Sequence, residues 1–159
     1  MPPAPCGQPP APSYFVYDAV LNRKDRPLLD ESAPLRALDI DEVTGLVDAG
    51  AMLLDGRYEA GIAAFHELDR DQHPDVANYL GYAHRKLGQY DQSKAWYEKA
   101  LAGDPKHTRT LQYYGMWHLE QGNRLKAQDH LERIEVICGT GCEDYRLLRD
   151  AIVEGKTSY

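Results

Sequence analysis

Apolar residues recur at helical spacing from Asp39 to the end of the chain, a pattern typical of packed α-helices. The last segment shows this spacing clearly, because Tyr145, Leu148 and Ile152 fall at i, i+3 and i+7. Only two prolines interrupt this part of the chain. The pattern predicts an all-α structure with helices near residues 40–54, 57–69, 75–87, 91–102, 108–120, 124–137 and 143–153.

The N-terminal part has a different composition. Residues 1–13 hold six of the ten prolines, which predicts a flexible, extended tail. Residues 14–38 are expected to be extended or irregular. Within them, YFVYDAVL (residues 14–21) mixes aromatic and β-branched side chains, a local strand signal, whereas residues 22–39 are charged and broken by proline. An irregular extension is therefore expected before a helical domain at residues 39–155.

The helical part contains a repeat of 34 residues. Gly81 and Gly88 recur as Gly115 and Gly122, and His84 matches His118 in the same register. A fainter copy precedes them, with Gly56, Tyr58 and Phe65, and ends at Pro74. Helix–turn–helix units of this length stack into solenoids, which need about three units to bury a core.

The paired glycines have distinct expected roles. A glycine inside a helix costs roughly 1 kcal/mol relative to alanine, so its recurrence indicates a purpose. We expect Gly81 to let the two helices of one hairpin approach closely. Gly88 falls where the first helix must end, at a position that favours the left-handed conformation.

The middle unit, residues 77–105, resembles a tetratricopeptide repeat. The residues that carry the resemblance are the Leu-Gly pair, the inter-helix Gly-x-Tyr and the late aromatic, Ala-Leu and proline positions: Leu80, Gly81, Gly88, Tyr90, Tyr97, Ala100, Leu101 and Pro105. The unit departs from the family pattern at Ala77, His84 and Ser93. The resemblance implies a right-handed α-solenoid of three repeats, near residues 40–73, 74–105 and 106–137, with a capping helix at 143–153. It also implies a protein-interaction module, a scaffold whose concave groove binds a peptide or a partner segment.

A peptide-binding groove would be lined by the first helix of each repeat. In the middle repeat, Asn78, Tyr82 and Arg85 fall at i, i+4 and i+7 on one face. The full predicted set, with the matching residues of the third repeat and the two bordering tyrosines, is Asn78, Tyr79, Tyr82, Arg85, Arg109, Gln112, Tyr113 and Met116. Amide, tyrosine and methionine side chains suit a peptide of mixed polarity.

Two departures bear on the groove. A carboxylate clamp, as used by some members of the family, is not favoured because only Arg109 stands at a comparable position. In the first repeat the same register gives an apolar face of Val43, Leu46, Gly50 and Leu53, which residues 14–21 are expected to cover.

Cys138 and Cys142 lie four residues apart between the last repeat helix and the capping helix. This spacing is sterically compatible with a disulfide across the turn, and a pair of reduced thiols is the alternative. The cysteines also leave open a second class of function, a thiol redox or metal-carrying module. A purely structural spacer in a larger assembly is the third.

The sequence contains no motif of an enzyme. It lacks a His-Glu-x-x-His pair, a glycine-rich phosphate loop after a strand and a Gly-x-Ser-x-Gly turn. The histidines show no metal-ligand spacing, and the paired carboxylates lie at predicted helix ends, where acids are ordinary. We therefore expect neither catalysis nor a cofactor nor a metal.

The net charge and the expected compartment limit the classes of partner that this protein is expected to bind. The chain carries 25 acidic and 18 basic residues, a net charge of −7, so nucleic acid is not an expected partner. No apolar run approaches the ~20 residues of a membrane span. The proline-rich start resembles the tail that follows a removed export signal. A periplasmic or otherwise exported protein is therefore expected, with a cytoplasmic one as the alternative, and either a monomer or a weak oligomer.

Overall fold

The computed structural model describes the backbone of residues 40–157 and the side chains from residue 45 onward. The predicted tail at 1–13 and the irregular segment at 14–38 lie outside these residues. The described part is helical, with α1 (Ile40–Leu54), α2 (Tyr58–Glu67), α3 (Pro74–Lys86), α4 (Tyr90–Gly103), α5 (Thr108–Glu120), α6 (Arg124–Cys138) and α7 (Glu143–Glu154). The predicted all-α class is confirmed, and each helix begins and ends within two residues of its predicted span. Within residues 40–157, each helix is too short or too polar to cross a membrane.

The helices pack as a stack of antiparallel hairpins. Helix α1 pairs with α2, α3 with α4, and α5 with α6, while α7 packs against both helices of the last hairpin. The first helices of the second and third hairpins, α3 and α5, also contact each other directly. This arrangement is the predicted solenoid of helix–turn–helix units closed by a capping helix.

Each hairpin turns at a glycine in the left-handed conformation. Gly88 has φ +73° and Gly122 has φ +75°, a region that glycine occupies without strain. The residue after the glycine closes the turn with a main-chain hydrogen bond. After Gly88, Gln89 donates its amide to the His84 carbonyl at 2.9 Å. This bond satisfies a carbonyl that the end of the helix would otherwise leave unpaired. The expectation for Gly88 is confirmed.

The helix-interior glycines allow close packing. A Cβ atom placed on Gly81 would lie 2.7 Å from the Tyr97 ring, so α3 and α4 could not approach as they do with a larger residue. Ser93 uses this proximity and donates its hydroxyl to the Gly81 carbonyl at 2.7 Å. Gly115 has a different neighbour, since its Cβ would lie 2.6 Å from Leu148 of α7. In the third repeat the glycine therefore makes room for the capping helix.

The core consists of two apolar clusters along the stack. One is centred on Phe65, Leu80 and Tyr97, and the other on Leu111, Ile134 and Leu148. In α1, Leu53 packs against Gly61 of its own hairpin. Its assignment to the groove register of the first repeat was wrong, because a side chain at that position points between α1 and α2. Leu46 and Gly50 of the same predicted face are also buried.

Candidate binding surface on the inner helices

The eight residues predicted to line the groove all lie on α3 and α5, and the structure brings them together. We call these eight residues the inner surface; they are Asn78, Tyr79, Tyr82, Arg85, Arg109, Gln112, Tyr113 and Met116. Residues about 30 positions apart in the chain become neighbours here because α3 and α5 occupy equivalent places in consecutive hairpins. The repeat therefore positions these side chains.

Three contacts join the two halves of the inner surface. Arg109 donates to the Tyr79 hydroxyl at 2.9 Å. The rings of Tyr82 and Tyr113 pack with centroids 5.7 Å apart. Arg85 donates to the main-chain carbonyl of Tyr113 at 3.1 Å. The side chains that could meet a ligand thus also hold neighbouring repeats in register.

Arg85 is the electrostatic centre of this surface. Its guanidinium lies 5.7 Å from the Tyr82 ring centroid and 5.9 Å from that of Tyr113, within cation–π range. Its Nε atom is 3.8 Å from a carboxylate oxygen of Glu120. Burial by itself would lower the pKa of Arg85, but the neighbouring Tyr97 and Glu120 outweigh it and the pKa is raised. The site therefore carries a fixed positive charge at neutral pH.

The tyrosine hydroxyls of this region stay protonated at neutral pH. Burial raises the pKa of Tyr82, and it raises the pKa of Tyr97 to about 12. The cause is that a phenolate loses its hydration when it is removed from water. Both residues therefore contribute neutral hydroxyls and ring surface rather than negative charge.

The inner surface is buried. Its eight side chains are at most 6% exposed, and their role in lining a peptide-binding groove stays a prediction. Helices α3 and α5 each bury nine consecutive residues, 75–83 and 108–116. Nine residues at 100° each cover the whole circumference of a helix. By contrast, the outer helix α4 buries the stripe Ser93, Tyr97 and Ala100.

Asn78 stands out within this surface. It is fully buried, and neither its amide nitrogen nor its amide oxygen has a hydrogen-bond partner among the described residues. A buried polar group without a partner costs roughly 1–3 kcal/mol, and such groups are uncommon in folded proteins. A side-chain amide offers two donor hydrogens and an acceptor oxygen. The carbonyl and N–H groups of an extended main chain can pair with both kinds of group.

Comparison with known proteins identifies the repeat. Residues 74–107, which form the hairpin of α3 and α4 and the start of the next unit, match the family profile described as tetratricopeptide repeat. The hairpin of α3 and α4 is a tetratricopeptide repeat. The chain is also 33% identical over 55 residues to an uncharacterized protein, ycf37, of Guillardia theta. That alignment covers 35% of this chain and 31% of the relative, so the chain spans about a third of that protein's length. As a class, tetratricopeptide repeats are protein-interaction modules and generally not enzymes.

Sequence reasoning missed a second polar link between the repeats. His107, just before α5, places its Nε2 2.7 Å from a carboxylate oxygen of Asp75 at the start of α3. Its Nδ1 accepts the amide of Thr110 and so caps the helix. His73 caps α3 in the same way, with Nδ1 accepting from the amide of Asp75. The recurrence of histidine at a spacing of 34 residues was the signal that could have revealed this link.

The link continues into the capping helix. Thr108 at the start of α5 donates its hydroxyl to a carboxylate oxygen of Asp144 in α7 at 2.6 Å. Both partners are buried. The N-terminal ends of α3, α5 and α7 are thus joined by side-chain hydrogen bonds.

An aromatic cluster lies between α5 and α6, away from the inner surface. The His118 ring stacks on Tyr114 with centroids 4.4 Å apart and meets the His130 ring at 5.1 Å. Burial, with the neighbouring His130 and Lys126, lowers the pKa of His118 to about 4. Burial likewise lowers the pKa of His130. These histidines act as neutral packing side chains at pH 7. Residues 45–157 contain no group of three or more His, Cys, Asp and Glu side chains arranged to hold a metal ion.

The two cysteines lie together at the junction with the capping helix. The Sγ atoms of Cys138 and Cys142 are in contact, and their Cα atoms are 6.0 Å apart. Cys138 ends α6 and Cys142 precedes α7, so a bond between them would fix the angle of the capping helix. The oxidation state of this pair in its native compartment stays a prediction.

Proposed function

We propose that this protein is a scaffold that binds an extended peptide segment of a partner along its inner surface. The observation that carries the proposal is the buried amide of Asn78, which has no hydrogen-bond partner among the described residues. A segment in extended conformation would accept a hydrogen bond from its NH₂ group and donate one to its oxygen. Hydrogen bonds to the main chain of a peptide add affinity without specifying which side chains the peptide carries.

The neighbouring side chains support a peptide of mixed polarity. Arg85 and Arg109 supply positive charge, and both already use part of their donor capacity within the protein. Tyr79, Tyr82 and Tyr113 supply rigid ring surface, which loses little conformational entropy on binding. A segment with aromatic or aliphatic residues and an acidic side chain complements this lining in both shape and charge.

The eight lining residues are at most 6% exposed, so these side chains must become exposed before a partner segment can bind along them. The affinity for a partner would be reduced by the free energy of that rearrangement.

Two substitutions at Asn78 test the proposal. Asn78→Ala and Asn78→Leu both remove the amide, and the second keeps a similar side-chain volume. A partner peptide would first be selected on the full chain from a displayed library. Loss of the two amide hydrogen bonds should then weaken its binding by about 1–2 kcal/mol in isothermal titration calorimetry.

The stability of the same variants provides the discriminating control. Asn78→Leu removes a buried polar group that has no partner among the described residues, so its melting temperature should equal or exceed that of the parent. Lys94→Ala, on the outer helix α4, should leave peptide binding unchanged because its side chain is 49% exposed and pairs with Glu98. Equal binding by the parent and both Asn78 variants would contradict the proposal.

A further inference from the structure

Glu120, the last residue of α5, places a negative charge beside one charged group of the inner surface. Its carboxylate oxygen Oε1 lies 3.8 Å from the Nε atom of Arg85. This distance is that of an ion pair, because it is longer than a hydrogen bond. Glu120 also contributes to the raised pKa of Arg85. The positive charge of Arg85 is therefore partly balanced from within the protein.

The position of Glu120 on its helix is explained by this pair. The last carbonyl groups of a helix carry a partial negative charge, so an acidic residue in the last turn is unfavourable there. Glu120 is nevertheless the final residue of α5. Its side chain is 23% exposed, so water screens its charge only in part. The attraction to Arg85 offsets the repulsion from the end of the helix.

The segment that follows the capping helix holds the same carboxylate oxygen. Helix α7 ends at Glu154, and Gly155 then turns the chain in a left-handed conformation with φ +69°. Thr157 donates its hydroxyl to Oε1 of Glu120 at 2.7 Å, although 37 residues separate them in the chain. The hydroxyl therefore fixes the oxygen that faces Arg85.

Arg85 is held next to Glu120 by contacts of its own. Its Nη1 donates to the main-chain carbonyl of Tyr113 at 3.1 Å. Its guanidinium also lies within cation–π range of the Tyr82 and Tyr113 rings. A guanidinium that turned to follow an acidic group of a partner would lose these contacts. A partner at this place therefore meets one positive and one negative group side by side.

We infer that Glu120 determines the charge specificity of the inner surface, because it disfavours partner segments that place an acidic side chain beside Arg85. The inference rests on the proposed function, since it concerns the partner of the same surface. A carboxylate that approached Arg85 would also approach Glu120, and the two negative charges would repel each other. A neutral acceptor, such as a main-chain carbonyl, meets no such repulsion. The acidic side chain of the proposed segment is therefore expected away from Arg85, and Thr157 is a positioning residue that acts through Glu120.

Binding of charge-substituted peptides to the full chain tests the inference. A peptide is first selected on the parent chain from a displayed library of random sequences, and is then synthesised with one aspartate at each position in turn. Isothermal titration calorimetry gives the loss of affinity that each aspartate causes. At one or more positions, Glu120→Gln should reduce this loss by about threefold or more, as expected for a partly screened charge pair. Positions farther from Glu120 should be unaffected.

Glu132→Gln is the matched control. It removes one negative charge from an exposed position on α6, so it changes the net charge of the chain by the same amount as Glu120→Gln. A general effect of net charge would appear equally in both variants. Thr157→Val should reduce the same aspartate losses to a smaller extent, and Thr157→Ser, which keeps the hydroxyl, should restore the parent values. If Glu120→Gln fails to fold, as judged by circular dichroism, Thr157→Val provides the comparison.

Two results would overturn the inference. One is an equal loss of affinity in Glu120→Gln and Glu132→Gln for an aspartate at every peptide position. If the peptide still binds in an Asn78-dependent way, the proposed function then stands and only the role of Glu120 fails. The other is the failure to select any peptide on the parent chain, which would overturn the proposed function and this inference together.

Discussion

The Nε2 atom of His107 lies 2.7 Å from a carboxylate oxygen of Asp75, although 32 residues separate them in the chain. Asp75 is 1% exposed and His107 is 2% exposed, so the contact is shielded from water. The Nδ1 atom of His107 accepts the Thr110 amide, which leaves Nε2 to donate to Asp75. One histidine therefore caps its own helix and ties that helix to the preceding repeat.

Removing the acceptor should destabilise the stack. In Asp75→Ala, the buried Nε2–H of His107 loses this carboxylate partner, and the free energy of unfolding should fall by roughly 1–3 kcal/mol in urea denaturation. Glu132→Ala on α6 is the matched control, because it removes one negative charge from an exposed position. Equal losses in the two variants would show that the Asp75–His107 link does not stabilise the fold.

The close approach of α3 and α4 gives a second prediction. In Gly81→Ala the new Cβ would lie 2.7 Å from the Tyr97 ring, which is itself buried and stacked on Tyr114 with centroids 5.5 Å apart. Because the ring has no room to retreat, the variant should lose roughly 1–3 kcal/mol of unfolding free energy despite the better helix propensity of alanine. Gly141→Ala, where a Cβ meets open space, should change it by less than about 0.5 kcal/mol. A Gly81 variant as stable as the Gly141 variant would refute the packing role.

The ring of His118, which stacks on Tyr114, gives a prediction on pH. The pKa of His118 is lowered to about 4, below its ordinary value of 6.5, so between these values the unfolded chain binds more protons than the folded one. The contribution of neutral His118 to stability is complete above pH 6.5 and is lost as the pH falls towards 4. The melting temperature should therefore drop over this window, and His118→Tyr should make the drop shallower. His84→Tyr makes the same change at the matching position of the preceding repeat, and an identical flattening there would contradict the assignment to the ring cluster.

The sequence predicted the helices and their turns because those features depend on local chemistry. Short stretches of sequence determine the left-handed turns at Gly88 and Gly122, and they also determine the apolar periodicity. A repeat of 34 residues strengthens each of these signals. The membership of the inner surface followed from the same register, since α3 and α5 are equivalent helices.

The burial of the inner surface and its polar links could not be predicted in this way. Whether Tyr82 or Asn78 is buried depends on tertiary packing, which helical periodicity does not encode. The pairing of Asp75 with His107 depends on the offset between two stacked hairpins, a tertiary quantity. Gly115 lies against Leu148 of α7 instead of a residue of its own hairpin, because α7 ends the stack. This contact is likewise a tertiary feature.

The cysteine pair gives the last prediction. If the chain works in an oxidising compartment, Cys138 and Cys142 should be bonded, because their Cα atoms lie 6.0 Å apart, within the range of a disulfide. Alkylation without reductant, followed by peptide mass spectrometry, should then leave both residues unlabelled, and prior reduction should expose both. A Cys6→Ser background removes the third cysteine from the count.

Closing so short a loop should add roughly 2 kcal/mol to the unfolding free energy, so Cys138→Ser with Cys142→Ser should be less stable than the parent only without reductant. Full labelling of both thiols in protein taken unreduced from its native compartment would show that the pair is a dithiol there.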